Sequence, residues 1–377
     1  MIMVPSLRTY LFWQRSKSIE LGHLRTFVCK GLNQRSTNRR SAHDILSSHP
    51  NQKPGHAEIA KLVGGAVMSF RSFTMCSMFV LALTSGALAQ TCGAGPVTVQ
   101  ILGSGGPAIN PERASTSYLL WDGGNARMLV DMGGGAYLRF GQSQAKLSDL
   151  ALVAISHLHP DHVSDLPALL WLSHQVRKEP LPIVGPSAGK GVAGPAGNDV
   201  APDFSTFLAR LFDEKNGAFQ VMGATLGAAK GNGVHLNVSV VDIMKAEPST
   251  VFDEQGLKVT ALGIPHANMP TLAYRVETRD GSIVFSSDQN GTNSRFVDFA
   301  RNANVLIMHL AIAAGATNPL HAAPAVVGQI AQEAGVGRLI VSHIGRFDLD
   351  AAIADLKKSY TGPLIIGADL QCTPITR

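Results

Sequence analysis

This sequence predicts an α/β fold on two observations. Short apolar runs without polar alternation recur along the chain, as strands buried on both faces require, and four successive runs close on His or Asp. Taken in order, residues 127–130 read as a strand that turns at Asp131, and residues 150–155 form an apolar, β-branched strand. Residues 205–212 carry helical spacing. Residues 257–263, 282–287, 304–308 and 338–342 are four further strands, running into Ile264-Pro265-His266, Asp288, His309 and His343 respectively. Between the last two, an Ala/Val/Ile-patterned helix extends from Pro324 to about residue 333.

The densest chemistry follows the 150–155 strand. Ser156-His157-Leu158-His159-Pro160-Asp161-His162 holds three imidazoles and a carboxylate, which would repel one another or go unpaired without a cation. His157 and His159, two apart, can grip one ion. Asp161 and His162 point across the turn and suit a second ion close by, as two-metal hydrolases require. Four residues cannot fill two metal shells, and the strand-end residues His266, Asp288, His309 and His343 are the candidates to complete them.

The order HxHxDH, His, Asp, His resembles the metallo-β-lactamase superfamily, and specifically its ribonuclease Z and arylsulfatase-like branch. The resemblance spans roughly residues 97–370 and includes Ile101-Leu102-Gly103-Ser104-Gly105-Gly106-Pro107, Leu129-Val130-Asp131-Met132-Gly133-Gly134, Gly185-Pro186 and Ser342-His343-Ile344-Gly345-Arg346-Phe347. It implies a four-layer αββα sandwich with the site at its open edge. It also implies one zinc held by His157, His159 and His266, another by Asp161, His162 and His343, and Asp288 bridging the two. True zinc β-lactamases lack that bridging carboxylate, so Asp288 argues against antibiotic hydrolysis. His/Asp shells of this kind also accept Fe or Mn.

Around this core, His309 matches a family histidine that is followed by glutamate and assists the leaving group, although here Leu310 follows. We expect His309 to be catalytic or substrate-binding, with Asp161 orienting the attacking water as well as binding metal. His321, ahead of the 324–333 helix, reads as a structural cap. Asp131 is expected to orient a metal ligand, and Arg346 offers a fork of donors to an anionic group.

Residues 68–89 have a basic n-region at Arg71, a short apolar core and the exit Ala87-Leu88-Ala89, the pattern of a secretory signal peptide. Cleavage there leaves residues 90–377 as one hydrolase domain, in the periplasm or outside the cell, with no stable membrane insertion. Residues 1–67 then precede a signal peptide. We read Met68 as the true start, with a disordered leader as the alternative. Charge follows the same division. The whole chain is +5, but removing eleven basic and three acidic residues of 1–89 leaves 21 Lys/Arg against 24 Asp/Glu. A domain without net positive charge is poorly suited to a phosphate backbone, so nucleic acid is not the expected partner. The Gly/Ala-rich stretch from Pro186 to Glu247 has no basic arm, with five Lys/Arg and six Asp/Glu. There, two readings stand side by side: helix 205–212 packing over the active-site rim with residues 217–233 as a mobile lid, or a plain surface excursion. Cys92 and Cys372 remain after cleavage, and a bridge between them would tie the two ends together in an oxidising compartment; sequence leaves the pairing open.

The expectation is a secreted binuclear zinc hydrolase using a metal-bridging hydroxide on a small phosphodiester or related anionic ester. The alternatives are a carboxylic ester, lactone or β-lactam hydrolase, and a non-catalytic metal-binding protein of the same fold. Oligomeric state, including a homodimer, stays open.

Overall fold

The computed structural model describes residues 92–93, 95–189, 201–226 and 235–376. They fall within one compact unit, Phe79–Arg377. The leader and signal peptide expected at residues 1–89 lie outside the described residues. Among those described, no helix is long and apolar enough to cross a membrane.

The chain builds two mixed seven-stranded sheets in sequence. β1 (Thr98–Gly103), β2 (Ser117–Asp122) and β3 (Asn125–Val130) form an antiparallel meander; β4 (Leu152–Ala154), β5 (Leu181–Pro186) and β6 (Leu236–Val241) extend it in parallel. β7 (Ser249–Glu254), β8 (Leu257–Ile264), β9 (Thr271–Thr278) and β10 (Gly281–Phe285) start the second sheet antiparallel. β11 (Val305–His309), β12 (Leu339–Ser342) and β13 (Leu364–Ile366) continue it in parallel. β14 (Cys372–Pro374) returns to pair with β1.

Strand periodicity explains why the runs are apolar throughout. In β11, Val305 and Ile307 enter the layer between the sheets, where they join Tyr118, Met128, Tyr274 and Phe285; Leu306 and Met308 face the opposite way, into a cluster with the helices. Helices α1 (Ala136–Gln142), α3 (Leu166–Val176) and α4 (Phe204–Phe212) lie on the first sheet's outer face. α5 (Ser294–Ala300), α6 (Pro324–Glu333) and α7 (Leu349–Leu356) cover the second's. The short α2 (Pro160–Val163) belongs to the histidine motif. The result is the αββα layering that the resemblance implied.

The 205–212 helix forms as α4, its first turn capped by Asp203, whose side chain accepts from Thr206 N. Phe204, Leu208 and Phe212 are buried under the first sheet, and Phe204 packs so closely on Gly185 that a Cβ there would lie 2.3 Å from its ring. Three large apolar side chains at helical spacing anchor α4 to the outer face of the first sheet. Residues 217–226 continue from it into a 3-10 helix, Gln220–Leu226, while the remainder of the expected lid, 227–233, lies outside the described residues.

Cys92 and Cys372 are joined in a disulfide with Cα atoms 5.8 Å apart. The bridge ties the start of the domain to β14 across 280 residues of sequence. Asp369 reinforces the same corner: its carboxylate accepts from Ser104 N, Ser104 Oγ, Ala114 N and Arg139 Nε at 2.7–3.0 Å. Cys92→Ser is expected to lower stability by about 2–4 kcal/mol while leaving the fold intact, read as a shifted urea midpoint. Wild-type protein whose midpoint ignores reductant would contradict this.

Candidate metal centre

The strands β3, β4, β8, β10, β11 and β12 all end at one edge of the sandwich, and the chemistry sits in the gap there, outside the carboxyl ends of the strands. Local backbone strain aims it. Of eight non-glycine residues with positive φ among those described, Asp131, Ala267, Ser287 and His343 belong to these strand ends, with φ of 57°, 47°, 53° and 53°. Such conformations cost about 1–3 kcal/mol each and persist where surrounding structure imposes them. At Gly106, a Cβ would come within 2.6 Å of the His343 ring, so the loop after β1 can close on His343 only as glycine.

The geometry brings all seven expected ligands together. His157, His159, His266 and Asp288 form one group, and Asp161, His162 and His343 another, each with candidate ligand atoms within 4.8 Å of one another. Asp288 faces both. Its Oδ2 lies 3.4–3.7 Å from Nε2 of His157, His162 and His266, and its Oδ1 lies 3.3 Å from His343 Nε2.

Hydrogen bonds at the outer ring nitrogens decide which nitrogen faces inward. His157 Nδ1 donates to Ser156 Oγ at 3.0 Å, His162 Nδ1 to Asp131 Oδ2 at 2.8 Å, and His266 Nδ1 to the Leu320 carbonyl at 2.7 Å. Each Nε2 thereby points at the centre. Asp131 anchors the motif further, accepting from Ser156 N and Oγ, both at 2.7 Å. It therefore occupies the orienting position expected of it.

These donors fit a metal. His157 Nε2, His159 Nδ1 and His266 Nε2 converge at 3.0 and 3.2 Å, and His162 Nε2 is buried with no hydrogen-bond partner among the described residues. Three nitrogens meeting in one place can be satisfied together by a cation that accepts their lone pairs. Burial lowers the pKa of His157, His159 and His266, which keeps those lone pairs available. Burial also opposes charge on His162, but the Asp131 and Asp288 carboxylates outweigh it and raise its pKa. For Asp161 burial pushes upward, yet the His343 hydrogen bond and the charges of His162 and His343 bring it down to about 2. Asp288 is likewise held well below the usual carboxylate range, against burial, by His343, His162 and His309.

Two further histidines border the cluster. His309 is buried, with Nδ1 2.5 Å from Asp288 Oδ1 and Nε2 3.2 Å from the Tyr118 hydroxyl, so both ring nitrogens are engaged within the protein. His321 does not cap α6. The N-cap is Ala323. Ala267 N donates to Pro319 O and Ala322 N to Gln289 O, folding residues 319–322 across the His266 and Asp288 loops. That places the His321 ring 5.3 Å from His266 and 5.5 Å from His343, with Nδ1 4.0 Å from Asp288 Oδ1. Sequence reasoning undervalued it; its place two residues ahead of the N-cap, in a Pro- and Asn-bearing loop leaving the His309 strand, was the available signal.

A sandwich whose strand ends hold a buried His/Asp cluster is the framework of a metal-dependent hydrolase. The chain belongs to the metallo-beta-lactamase superfamily, whose family model matches residues 110–312. Its likenesses fall in the ribonuclease Z-like branch. It is 26% identical over 263 residues to the ribonuclease Z of Mycobacterium sp. strain KMS, covering 66% of this chain and 84% of the relative. Among solved structures it is similar to the short form of human tRNase Z, at 19% identity and a TM-score of 0.57, covering 74% of this chain and all of that one. It is also similar to the fold protein YhfI of Bacillus subtilis, at 20% identity and a TM-score of 0.54, covering 74% of this chain and 99% of that one.

Asp131→Ala should weaken metal retention about 10- to 100-fold in chelator competition, because His162 loses the acceptor that fixes its ring. Retention equal to wild type would remove Asp131 from that role. In metal-free protein, burial holds His157, His159, His266, His309 and His321 below the ordinary histidine range, His309 at about 3 and His321 at about 4. As pH falls below about 6.5 the unfolded chain therefore binds more protons than the folded one, and stability declines; His162 alone among these histidines shifts in the opposite sense. Urea midpoints of metal-free protein should be lower at about pH 5 than at about pH 7.

Proposed function

We propose that this protein is a secreted hydrolase that holds two zinc ions and cleaves a small phosphodiester or related anionic ester. The observation that carries this reading is the position of Asp288, which touches both groups of ligands: its Oδ1 faces His343, and its Oδ2 faces His162 as well as His157 and His266. A carboxylate so placed suits a pair of closely spaced cations. When bound, such a pair supplies water activation near neutral pH and stabilises charge on the attacked centre and the leaving oxygen.

The chain's own residues take the remaining parts. His157, His159 and His266 would hold one ion, Asp161, His162 and His343 the other, and Asp288 both. Asp161 is the most exposed carboxylate of the cluster and stays ionised, suiting it to orient the incoming water. Hydrogen-bond donation to the leaving group passes from His309, whose nitrogens are occupied in the interior, to His321, whose neutral side chain is 13% exposed beside the cluster. Arg346 is exposed three residues beyond His343 and offers its guanidinium to an anionic substrate.

A small substrate is favoured over RNA because residues 90–377 carry no positive excess with which to attract a polyanion. Export to the periplasm or beyond is supported by the signal-like composition of residues 68–89 and by the Cys92–Cys372 disulfide, since such bridges persist in oxidising compartments.

Wild type and Asp288→Ala are compared for zinc content and for hydrolysis of bis-nitrophenyl phosphate, nitrophenyl acetate and nitrocefin. Two zinc per chain and phosphodiester turnover in wild type, with both lost in the variant, is the expected result. One ion or none in folded wild type would sink the binuclear assignment, and full occupancy with turnover only of the carbonyl substrates would replace the substrate class. His321→Gln should reduce kcat by about 10²–10⁴ on substrates with poor leaving groups and far less on nitrophenyl esters, whose leaving groups need no proton.

A further inference from the structure

The interior partner of His309 comes from the other sheet. Tyr118 lies on β2, buried between the sheets, with its ring 5.5 Å from that of Phe285, the last residue of β10 before the Asp288 loop. Its hydroxyl reaches His309 Nε2 at 3.2 Å, across 191 residues of sequence. The residue following His309 is Leu310, buried and apolar, so the chain supplies no carboxylate from that side.

Chemistry sets the direction of this chain of contacts. The ionised Asp288 carboxylate can only accept, so the proton between it and His309 belongs to Nδ1. The neutral imidazole then presents Nε2 as an acceptor, and a phenol is a donor that fits it. Both side chains are buried, Tyr118 1% and His309 5% exposed, so the contact between them is shielded from water. A phenylalanine would fill the same apolar space between the sheets; the hydroxyl is what addresses His309.

We infer that Tyr118 is a positioning residue: it donates to His309 Nε2, fixes the Nδ1–H tautomer, and through it holds Asp288 Oδ1 so that the carboxylate faces both metal sites. The inference rests on the two-metal reading above but not on any substrate. Asp288 faces both ligand groups, so a small rotation of its carboxylate disturbs both. Tyr118 thereby couples the first sheet to a ligand of the second.

The test is zinc affinity of the full chain by competition with a chromophoric chelator, for wild type, Tyr118→Phe, His309→Ala and the double variant. Melting of each metal-free protein is measured alongside. Tyr118→Phe should bind zinc about tenfold more weakly or worse, with a metal-free melting temperature close to wild type, and should have no further effect once His309 is alanine. Unchanged affinity in Tyr118→Phe, or the same loss in the His309→Ala background, would overturn the role. Should His309→Ala fail to fold, nitrogen-15 NMR of the wild-type histidines decides instead: His309 protonated at Nδ1, with an Nε2 resonance that moves in Tyr118→Phe, is expected, and protonation at Nε2 overturns the assignment. Wild type that binds no zinc would overturn the two-metal reading separately, and the tautomer of the metal-free protein would still decide the role of Tyr118.

Discussion

A cluster of ring nitrogens and two carboxylates, most of them buried at the edge of two packed sheets, sets the terms for everything around it. Buried imidazoles whose lone pairs converge are costly unless something accepts those lone pairs, and a buried carboxylate is costly unless its charge is balanced. The seven side chains from His157 to His343 answer both demands together only around a cation. The outward-facing nitrogens are tied to Ser156, Asp131 and the Leu320 carbonyl, so the inward-facing ones are fixed before any ion arrives. Such preorganisation is a property of the protein, and it is what the superfamily framework provides.

The two-sheet architecture makes the cluster attainable. Parallel strands place their carboxyl ends at one edge, so residues from five separate strands meet without long loops. The strands are apolar on both faces because each sheet is covered on one side by helices and on the other by its partner sheet, and this rigid packing can hold strained residues such as Ser287 and His343 in left-handed conformations. Strain at these ends turns the side chains into the gap.

The periphery secures the same edge from behind. Asp369 gathers the loop after β1, the start of the 114–117 segment and Arg139, while Cys92–Cys372 fastens β14 onto the first sheet. The loop held this way carries Gly106, which packs on His343. The inserted helix α4 contributes to the outer core under β5.

Much of this could be read from the sequence because it is local. The HxHxDH spacing, the placement of His266, Asp288, His309 and His343 after apolar runs, and the two-sided burial of those runs follow from strand periodicity and from the chemistry of neighbouring residues. What the sequence could not decide was which side chains meet across the gap. His309 turns back to Asp288 and to Tyr118, His321 swings over the centre instead of capping α6, and Phe204 draws α4 under the first sheet. Each of these depends on which strands pair and how the sheets face each other. Periodicity assigns a residue to a face, but only the packed tertiary structure assigns it a partner.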